Sequence, residues 1–163
     1  MNETKKPATE KPEPPQRLGE IGLSNFAPYL MNRIMGRYNA DLRQEMTGLG
    51  LTTPKMRALA VLSVIDALPI SELAVYAVVE QSTLSRALDQ LATDGLVRRE
   101  SDPNDSRVTR IGITEAGRSA LDQLWPSMAQ SYAQMFKDIP ADEQQAFVTT
   151  LQKMLKNIRK HDF

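Results

Sequence analysis

The spacing of apolar residues predicts a mainly helical chain with one short β-hairpin. Apolar side chains recur every three or four residues from Leu23 to about Thr47, which predicts a long first helix that is covered on more than one side. Thr53 precedes Pro54, so we expect Thr53 to cap a second helix that holds the proline in its first turn. Two helices therefore precede the central part of the chain.

The central part predicts two helices that are joined by a tight turn. The first runs over residues 70–77 and the second over residues 81–93. Leu84, Leu88 and Leu91 lie about one and two turns apart on the second helix, so they share its buried face. Polar residues at the start of this helix are consequently left on its outward side.

A hairpin follows this pair of helices, and Gly95 is expected to close the helix before it. Residues 96–100 and 108–113 predict two short strands, and the link over residues 101–107 contains an Asp-Pro-Asn-Asp run that is typical of turns. This link is longer than a two-residue loop, so its tip should project as a wing. The order of helix, turn, helix and hairpin is that of a winged helix-turn-helix.

The last part of the chain predicts two long helices. Thr114 is expected to cap the first of them, and Pro126 either kinks it or starts a fresh turn. Pro140 opens the last helix, whose apolar face includes Phe147 and Ile158. Together with the first helix, these elements carry more apolar surface than one small domain covers, which predicts a homodimer built from both ends of the chain.

These patterns divide the chain into three regions. Residues 1–20 are rich in proline and charge and predict a disordered arm. Residues 53–114 predict a winged helix-turn-helix domain that binds DNA. Residues 21–52 and 115–163 predict a helical dimerisation region. The expected fold is thus mainly α with a small β-hairpin wing, flanked by N- and C-terminal dimerisation helices.

The composition narrows the classes of function. An apolar fraction of 41% and a charged fraction of 25%, without an apolar run as long as a membrane span, predict a cytoplasmic protein with no membrane partner. The absence of cysteine and the single histidine, His161, argue against a metal site, a cofactor and an enzyme. The net charge of zero weakens a DNA-binding interpretation but does not exclude it, because a local basic face can act alone.

The second central helix carries side chains that suit a DNA major groove. One α-helix fits this groove, and short polar groups and free N–H groups at a helix N-terminus suit contacts with DNA. An arginine in the next turn can reach a guanine edge or a phosphate. An ordinary capped surface helix is the alternative interpretation of the same polar residues. The candidate contacts are Gln81, Ser82, Thr83, Ser85 and Arg86.

The hairpin supplies a second set of candidate contacts. Arg107, on the projecting link, can enter a minor groove, where the potential is most negative, and Asp105 can orient it by a charge-assisted bond. A surface ion pair of little energy is the alternative for these two residues. Arg98, Arg99 and Arg110 lie on the strands and either touch phosphates or solvate the hairpin.

An ordered set of segments runs through the chain between about Leu23 and Ile158. The segments are Thr53-Pro-Lys-Met-Arg-Ala-Leu-Ala-Val-Leu, Ile70-Ser-Glu-Leu-Ala, Gln81-Ser-Thr-Leu-Ser-Arg, Leu91-Ala-Thr-Asp-Gly-Leu-Val-Arg-Arg, Asp102-Pro-Asn-Asp-Ser-Arg and Ile113-Thr-Glu-Ala-Gly. In this order they resemble the MarR family of bacterial transcription regulators. One departure is Pro69, which stands where the family commonly has a capping Ser or Thr.

The resemblance implies a triangular homodimer with a winged helix-turn-helix on each lobe. It implies a nucleoid-associated repressor that binds a palindromic operator and leaves it when a small molecule enters a crevice between the DNA-binding and dimerisation parts. By the motif, the groove residues would be Ser82, Thr83, Ser85 and Arg86, and the wing pair would be Asp105 and Arg107.

The kind of ligand can be narrowed further. Without cysteine a thiol sensor is excluded, and one terminal histidine disfavours zinc, which leaves a small organic ligand, often an aromatic acid, or no ligand. Tyr29, Arg33 and Arg37 recur at a spacing of four on the first helix, and an arginine there can pair with a carboxylate. Solvated or interfacial salt bridges explain the two arginines equally well, and both interpretations stay open.

A different class of function also fits the sequence. The zero net charge is compatible with a winged-helix module that binds a protein and does not read DNA. Phosphate contacts make binding strongly dependent on salt, whereas such a module would bind almost independently of it. The response to salt therefore separates the two classes.

Overall fold

The structure is a computed structural model that describes residues 16–161. Residues 1–15 of the predicted arm consequently lie outside the described residues. The chain divides into a unit that ends at Gly36 and a unit that begins at Arg37. Within residues 16–161, no helix is long and apolar enough to cross a membrane.

The single helix predicted from Leu23 to about Thr47 is wrong. The structure instead has helix α1 (Leu18–Ile21), a 3-10 turn (Leu23–Asn25), helix α2 (Ala27–Asp41) and helix α3 (Arg43–Gly48). Pro28 lies in the first turn of α2, where its missing N–H costs nothing, so the α-helix starts there. The break between α2 and α3 falls at Leu42, which is completely buried.

The second unit contains a helix-turn-helix followed by a hairpin, as predicted. The helices predicted over residues 70–77 and 81–93 are confirmed at both ends. The elements are α4 (Thr53–Val64), β1 (Leu68–Pro69), α5 (Ile70–Ala77), α6 (Gln81–Thr93), β2 (Val97–Ser101), β3 (Thr109–Ile113), α7 (Glu115–Met135) and α8 (Ala141–Ile158).

The hairpin belongs to a three-stranded antiparallel sheet with the order β1-β3-β2. Val97 is the partner of Ile113, and Leu68 is the partner of Ile111. Strand β1 was not predicted, because two residues are too short to show a period and Pro69 suggested only a helix start. A proline cannot donate to the ladder, which confines it to an edge such as β1.

A leucine-rich core holds α4, α5 and α6 together. Leu84, Leu88 and Leu91 of α6 are completely buried, which confirms the predicted buried face. They belong to one cluster with residues of the other helices and the sheet. Its completely buried members outside α6 include Leu42, Leu59, Leu62, Leu73, Ile111 and Leu124.

Of the two threonine caps predicted from the sequence, one is wrong and one is confirmed. The predicted cap at Thr53 is wrong, because α4 begins at this residue and Thr52 stands before it without a side-chain bond. Thr114 does cap α7, since its Oγ1 accepts from the Gly117 N–H at 3.1 Å. The same hydroxyl donates to the Gly95 carbonyl at 2.7 Å, which ties the cap to the turn before β2.

Gly117 fixes how closely α7 approaches this turn. A Cβ on Gly117 would lie 2.1 Å from the carbonyl oxygen of Leu96, so only glycine allows the contact. The Thr114 N–H also donates to that carbonyl at 3.1 Å. The start of α7 is therefore anchored at the base of the wing.

Helix α8 contacts the end of α7 through aromatic side chains and leaves its own apolar face exposed. Helix α7 continues through Pro126, so the predicted fresh turn at this proline is wrong. Phe136 contacts Tyr132 on one side, with ring centroids 5.1 Å apart, and Phe147 of α8 on the other, at 6.2 Å. No residue of α8 is buried, although the helix carries an apolar face.

Candidate DNA-binding surface

The turn between α5 and α6 places the second helix against the first. The Val79 N–H donates to the Ala74 carbonyl at 3.1 Å, which closes the end of α5. Val78 holds the left-handed conformation there, with a φ of 53°, and its carbonyl accepts from Arg57 of α4 at 3.1 Å. Arg57 therefore joins α4 to the turn of the helix-turn-helix.

The start of α6 carries a carboxylate that the sequence reasoning missed. Glu80 is the N-cap of the helix, and its side chain accepts from the Ser82 N–H at 3.4 Å and from the Thr83 hydroxyl at 3.2 Å. The Ser82 hydroxyl also donates to it. Hydrogen bonds, first of all from the Ser82 hydroxyl, hold the pKa of Glu80 below its usual range.

The Glu80 cap changes what the start of α6 can bind. We expected free N–H groups at the start of α6 to attract a phosphate, but the Glu80 carboxylate already occupies that position with negative charge. A cap of this kind is detectable in the sequence as an acid directly before the first helical residue. The hydroxyls of Ser82 and Thr83 donate to Glu80, so what they can offer to a ligand is acceptor oxygens.

The remaining candidates on α6 differ in exposure. Gln81 and Arg86 are exposed, and Ser85 is half-buried. Within residues 16–161, the Arg86 guanidinium makes no hydrogen bond or ion pair. Its five donors are consequently available to an external acceptor.

The tip of the wing carries an arginine in a fixed position. Arg107 donates from Nε and from one terminal nitrogen to the two carboxylate oxygens of Asp105, each at 2.9 Å. The Arg107 side chain is nevertheless 88% exposed. The bidentate bond raises the pKa of Arg107 and holds the pKa of Asp105 below its usual range. The predicted pair is thus present, with its arginine directed into solvent.

The three arginines on the strands of the hairpin have partners within the protein. Arg98 pairs with Asp66 at 2.8 Å, and Arg99 pairs with Asp89 of α6 at 2.5 Å. Arg110 pairs with Asp102 at 2.8 Å, and it also donates to the Ala67 carbonyl at 2.6 Å. The sequence reasoning missed these acids and that carbonyl. Phosphate contacts by the three arginines stay a prediction.

The predicted ligand residues on α2 are engaged with neighbours one turn away. Arg33 donates to the Tyr29 hydroxyl at 2.9 Å and lies 5.8 Å from the centre of its ring. Arg37 pairs with Asp41 at 3.1 Å, which is the salt bridge that the alternative interpretation expects for it. A role for these residues in binding a ligand stays a prediction.

A cleft of about 450 Å³ opens between α4 and α7. Arg118 spans it by donating to the Ser63 carbonyl at 3.1 Å. Trp125 lies two turns further along the same face of α7 and is 60% exposed. The sequence reasoning missed this pair, although their spacing of seven residues on a capped helix was a usable signal. The lining residues are Ala60, Ser63, Val64, Arg118, Leu121, Asp122, Trp125 and Met128.

The chain is similar to transcription regulators in sequence and in structure. A sequence model described as the MarR family matches residues 51–109. A crystal structure of a MarR-family transcriptional regulator from Silicibacter pomeroyi is 61% identical, with a TM-score of 0.86, and the alignment covers 91% of this chain and 100% of that one. The HTH-type transcriptional repressor IacR from Pseudomonas putida is 26% identical over 139 residues, which are 85% of this chain and 83% of IacR.

A more distant likeness concerns the fold alone. BpsR from Bordetella bronchiseptica is 24% identical with a TM-score of 0.68, and the alignment covers 80% of this chain and 94% of that one. The helix-turn-helix, the wing and the extensive identity to the Silicibacter regulator lead to one conclusion. The chain belongs to the MarR family of winged helix-turn-helix transcriptional regulators.

Proposed function

We propose that the chain is a homodimeric repressor that binds a palindromic operator and leaves it when a small organic acid binds. The proposal depends on one observation above all, which is the outward placement of two arginines. Arg86, which has no partner within residues 16–161, lies on a helix that can fit the major groove, and the exposed Arg107 lies on the wing. In this proposal residues 53–114 bind DNA, and residues 21–52 and 115–163 form the dimer.

The start of α6 is proposed to contact base edges in the major groove. Arg86 would bond to the O6 and N7 atoms of a guanine, the commonest specific contact of an arginine. The hydroxyls of Ser82 and Thr83 donate hydrogen bonds to Glu80, so their oxygens would accept from the amino groups of adenine or cytosine. Gln81 and Ser85 complete the proposed groove contacts.

The wing is proposed to enter the adjacent minor groove. Asp105 fixes the guanidinium of Arg107 before binding, so less side-chain entropy is lost when the groove closes around it. A narrow minor groove concentrates negative potential, which favours a single exposed arginine over a diffuse basic patch. This arrangement suits a chain whose net charge is zero.

A second copy of the chain is proposed to cover the apolar side of α8. Leu155 is 63% exposed and Ile158 is 75% exposed, and Tyr132 on α7 is exposed as well. Covering such side chains gains about 25 cal/mol for each Å² of apolar surface. A symmetric dimer would also set two copies of α6 at the separation of successive major grooves, about 34 Å.

The cleft between α4 and α7 is proposed to bind the releasing ligand. Its volume lies within the range for small-molecule sites, and it combines the Arg118 guanidinium with the exposed ring of Trp125. A cation beside an indole suits a carboxylate on an aromatic ring. The DNA binding of BpsR is regulated by 6-hydroxynicotinic acid, which is such a compound. The ligand would act by favouring a spacing of the two α6 helices that no longer fits DNA.

One observation favours a second candidate, the protein-interaction module. Arg98, Arg99 and Arg110 all pair with acids of the protein, so the hairpin presents less positive charge than its sequence suggests. Under this candidate, the loss of Arg86 or Arg107 would leave DNA affinity unchanged.

Loss of either outward arginine should weaken operator binding. We expect Arg86→Ala and Arg107→Ala each to reduce affinity for the DNA upstream of the gene by about tenfold or more, the range for loss of one specific arginine contact. Gel-shift titration at fixed salt measures this loss. Lys137→Ala is the control, because it removes the same charge from an exposed residue just beyond the C-terminal end of α7. Unchanged affinity in both arginine variants would reject the proposed contacts.

A charge on the open side of α8 should separate the dimer. Leu155→Glu places a carboxylate at a position that is 63% exposed in the single chain, so its folding should survive while the covered interface should not. We expect sedimentation velocity to give a dimer for the wild type and a monomer for Leu155→Glu. Gln145→Glu, which adds the same charge to an exposed polar position nearly three turns away on the helix, should remain dimeric. A dimer in Leu155→Glu would place the interface elsewhere.

An aromatic acid should stabilise the chain through Arg118. With benzoate as the probe, we expect a higher melting temperature for the wild type, no such shift with the uncharged benzamide, and no benzoate shift in Arg118→Gln. Arg33→Gln is the matched control, because it removes a guanidinium from the other candidate ligand site. A shift that survives in Arg118→Gln but disappears in Arg33→Gln would move the site to α2, and no shift in the wild type would contradict an aryl-acid ligand.

A further inference from the structure

The turn between α4 and β1 is bound to the end of β3 by two polar side chains. The Asp66 carboxylate accepts from the Ile113 N–H at 3.2 Å and from Arg98 at 2.8 Å. Arg98 in turn donates to the Ile113 carbonyl. One ion pair therefore engages both backbone groups of Ile113 and joins the turn to the last residue of the hairpin.

Gly112 provides the space that Arg98 needs. Arg98 is the cross-strand partner of Gly112, and a Cβ on Gly112 would lie 2.4 Å from the central carbon of the guanidinium. The side chain thus lies flat across the backbone of β3. This position directs Arg98 across β3 towards Asp66.

A second arginine joins the same turn to the tip of the wing. Arg110 donates from Nε to the Ala67 carbonyl at 2.6 Å and pairs with Asp102 at 2.8 Å. The other carboxylate oxygen of Asp102 accepts from the N–H groups of Asn104 and Asp105, at 2.8 and 3.1 Å. Since Asp105 holds Arg107, a series of polar contacts runs from the turn after α4 to the wing tip.

We propose that Asp66, Arg98, Arg110 and Asp102 form a clamp that sets the position of the wing, and that its two arginines act as positioning residues for Arg107 and not as phosphate contacts. The inference depends on the proposed function, because it assumes that Arg107 contacts DNA. It gives Arg98 and Arg110 a role within the protein in place of the phosphate contact that the sequence suggested.

Burial and charge support the clamp. The Asp102 side chain is only 12% exposed, and moving Arg110 to a phosphate would remove its bonds to one oxygen of this carboxylate and to the Ala67 carbonyl. Hydrogen bonds from Arg98 and Arg110 hold the pKa values of Asp66 and Asp102 below their usual range, so both acids are charged at neutral pH. Arg86 makes no such bond within residues 16–161, so it can bind DNA without breaking a contact in this range.

The clamp and simple electrostatics predict opposite effects of Asp66→Ala on the affinity for DNA. Asp66→Ala removes a negative charge from a chain of zero net charge, which by charge alone would strengthen binding to DNA. If Asp66 positions the wing, the same change should weaken operator binding by about tenfold, as much as loss of one specific contact. Glu10→Ala is the control for charge and should not weaken binding, because Glu10 lies in the predicted arm, outside the proposed DNA-binding and dimerisation regions.

A double-mutant cycle distinguishes a loss of the position of Arg107 from a general disturbance of the folded protein. We expect Arg107→Ala to weaken binding by about tenfold in the wild type and by less than about twofold in the Asp66→Ala background, where the wing no longer presents Arg107. Asp102→Ala breaks the clamp at its other end and should show the same loss of coupling. Circular dichroism shows whether each variant folds. If the variant of one acid, Asp66 or Asp102, does not fold, the cycle is completed with the variant of the other.

The outcomes of the cycle test the proposed wing contact and the proposed clamp separately. If Arg107→Ala has no effect in the wild type, the wing contact of the proposed function fails. If it weakens binding equally in all backgrounds, the contact stands and the clamp is overturned. Tighter binding by Asp66→Ala would also overturn the clamp. Weaker binding by Asp66→Ala, with the effect of Arg107→Ala lost, is the result that the clamp requires.

Discussion

Burial of the leucine face of α6 is the interaction on which the rest of the surface depends. Leu84, Leu88 and Leu91 are completely enclosed, and truncation of such a leucine typically costs about 2–5 kcal/mol. Because side chains on a helix have a fixed angular period, this burial also fixes which residues point outward. Arg86 is exposed as a direct consequence, and the helix cannot rotate to present another face without exposing its leucines.

The second constraint is the balance of charge. The chain has 20 basic and 20 acidic residues among lysine, arginine, aspartate and glutamate, so the net charge of the chain supplies no attraction to DNA. Acids pair with the hairpin arginines, and Glu80 occupies the start of α6. Positive charge is consequently presented at a few fixed points. The proposed DNA binding therefore depends on the position of each exposed arginine more than on the number of arginines.

The sequence predicts those parts of the fold that depend on local patterns. The ends of α5 and α6 follow from leucine spacing and a short turn, and the wing follows from its Asp-Pro-Asn-Asp run. It fails where the deciding contact is distant along the chain. Asp66 lies 32 residues from Arg98, and Ala67 lies 43 residues from Arg110, so no local period reveals either bond. The break at Leu42 likewise accompanies burial in a core that only the folded chain defines.

A salt titration of DNA binding tests the central claim most directly, which is that a neutral chain binds DNA through a few placed arginines. Two copies of Arg86 and Arg107 bring four positive charges to the DNA in a dimer, and the counterions that these charges displace should make log affinity fall against log salt with a slope of about −4. This corresponds to a loss on the order of a hundredfold between about 50 and 200 mM salt. Affinity that hardly changes over this range would contradict the account and would favour the protein-interaction module.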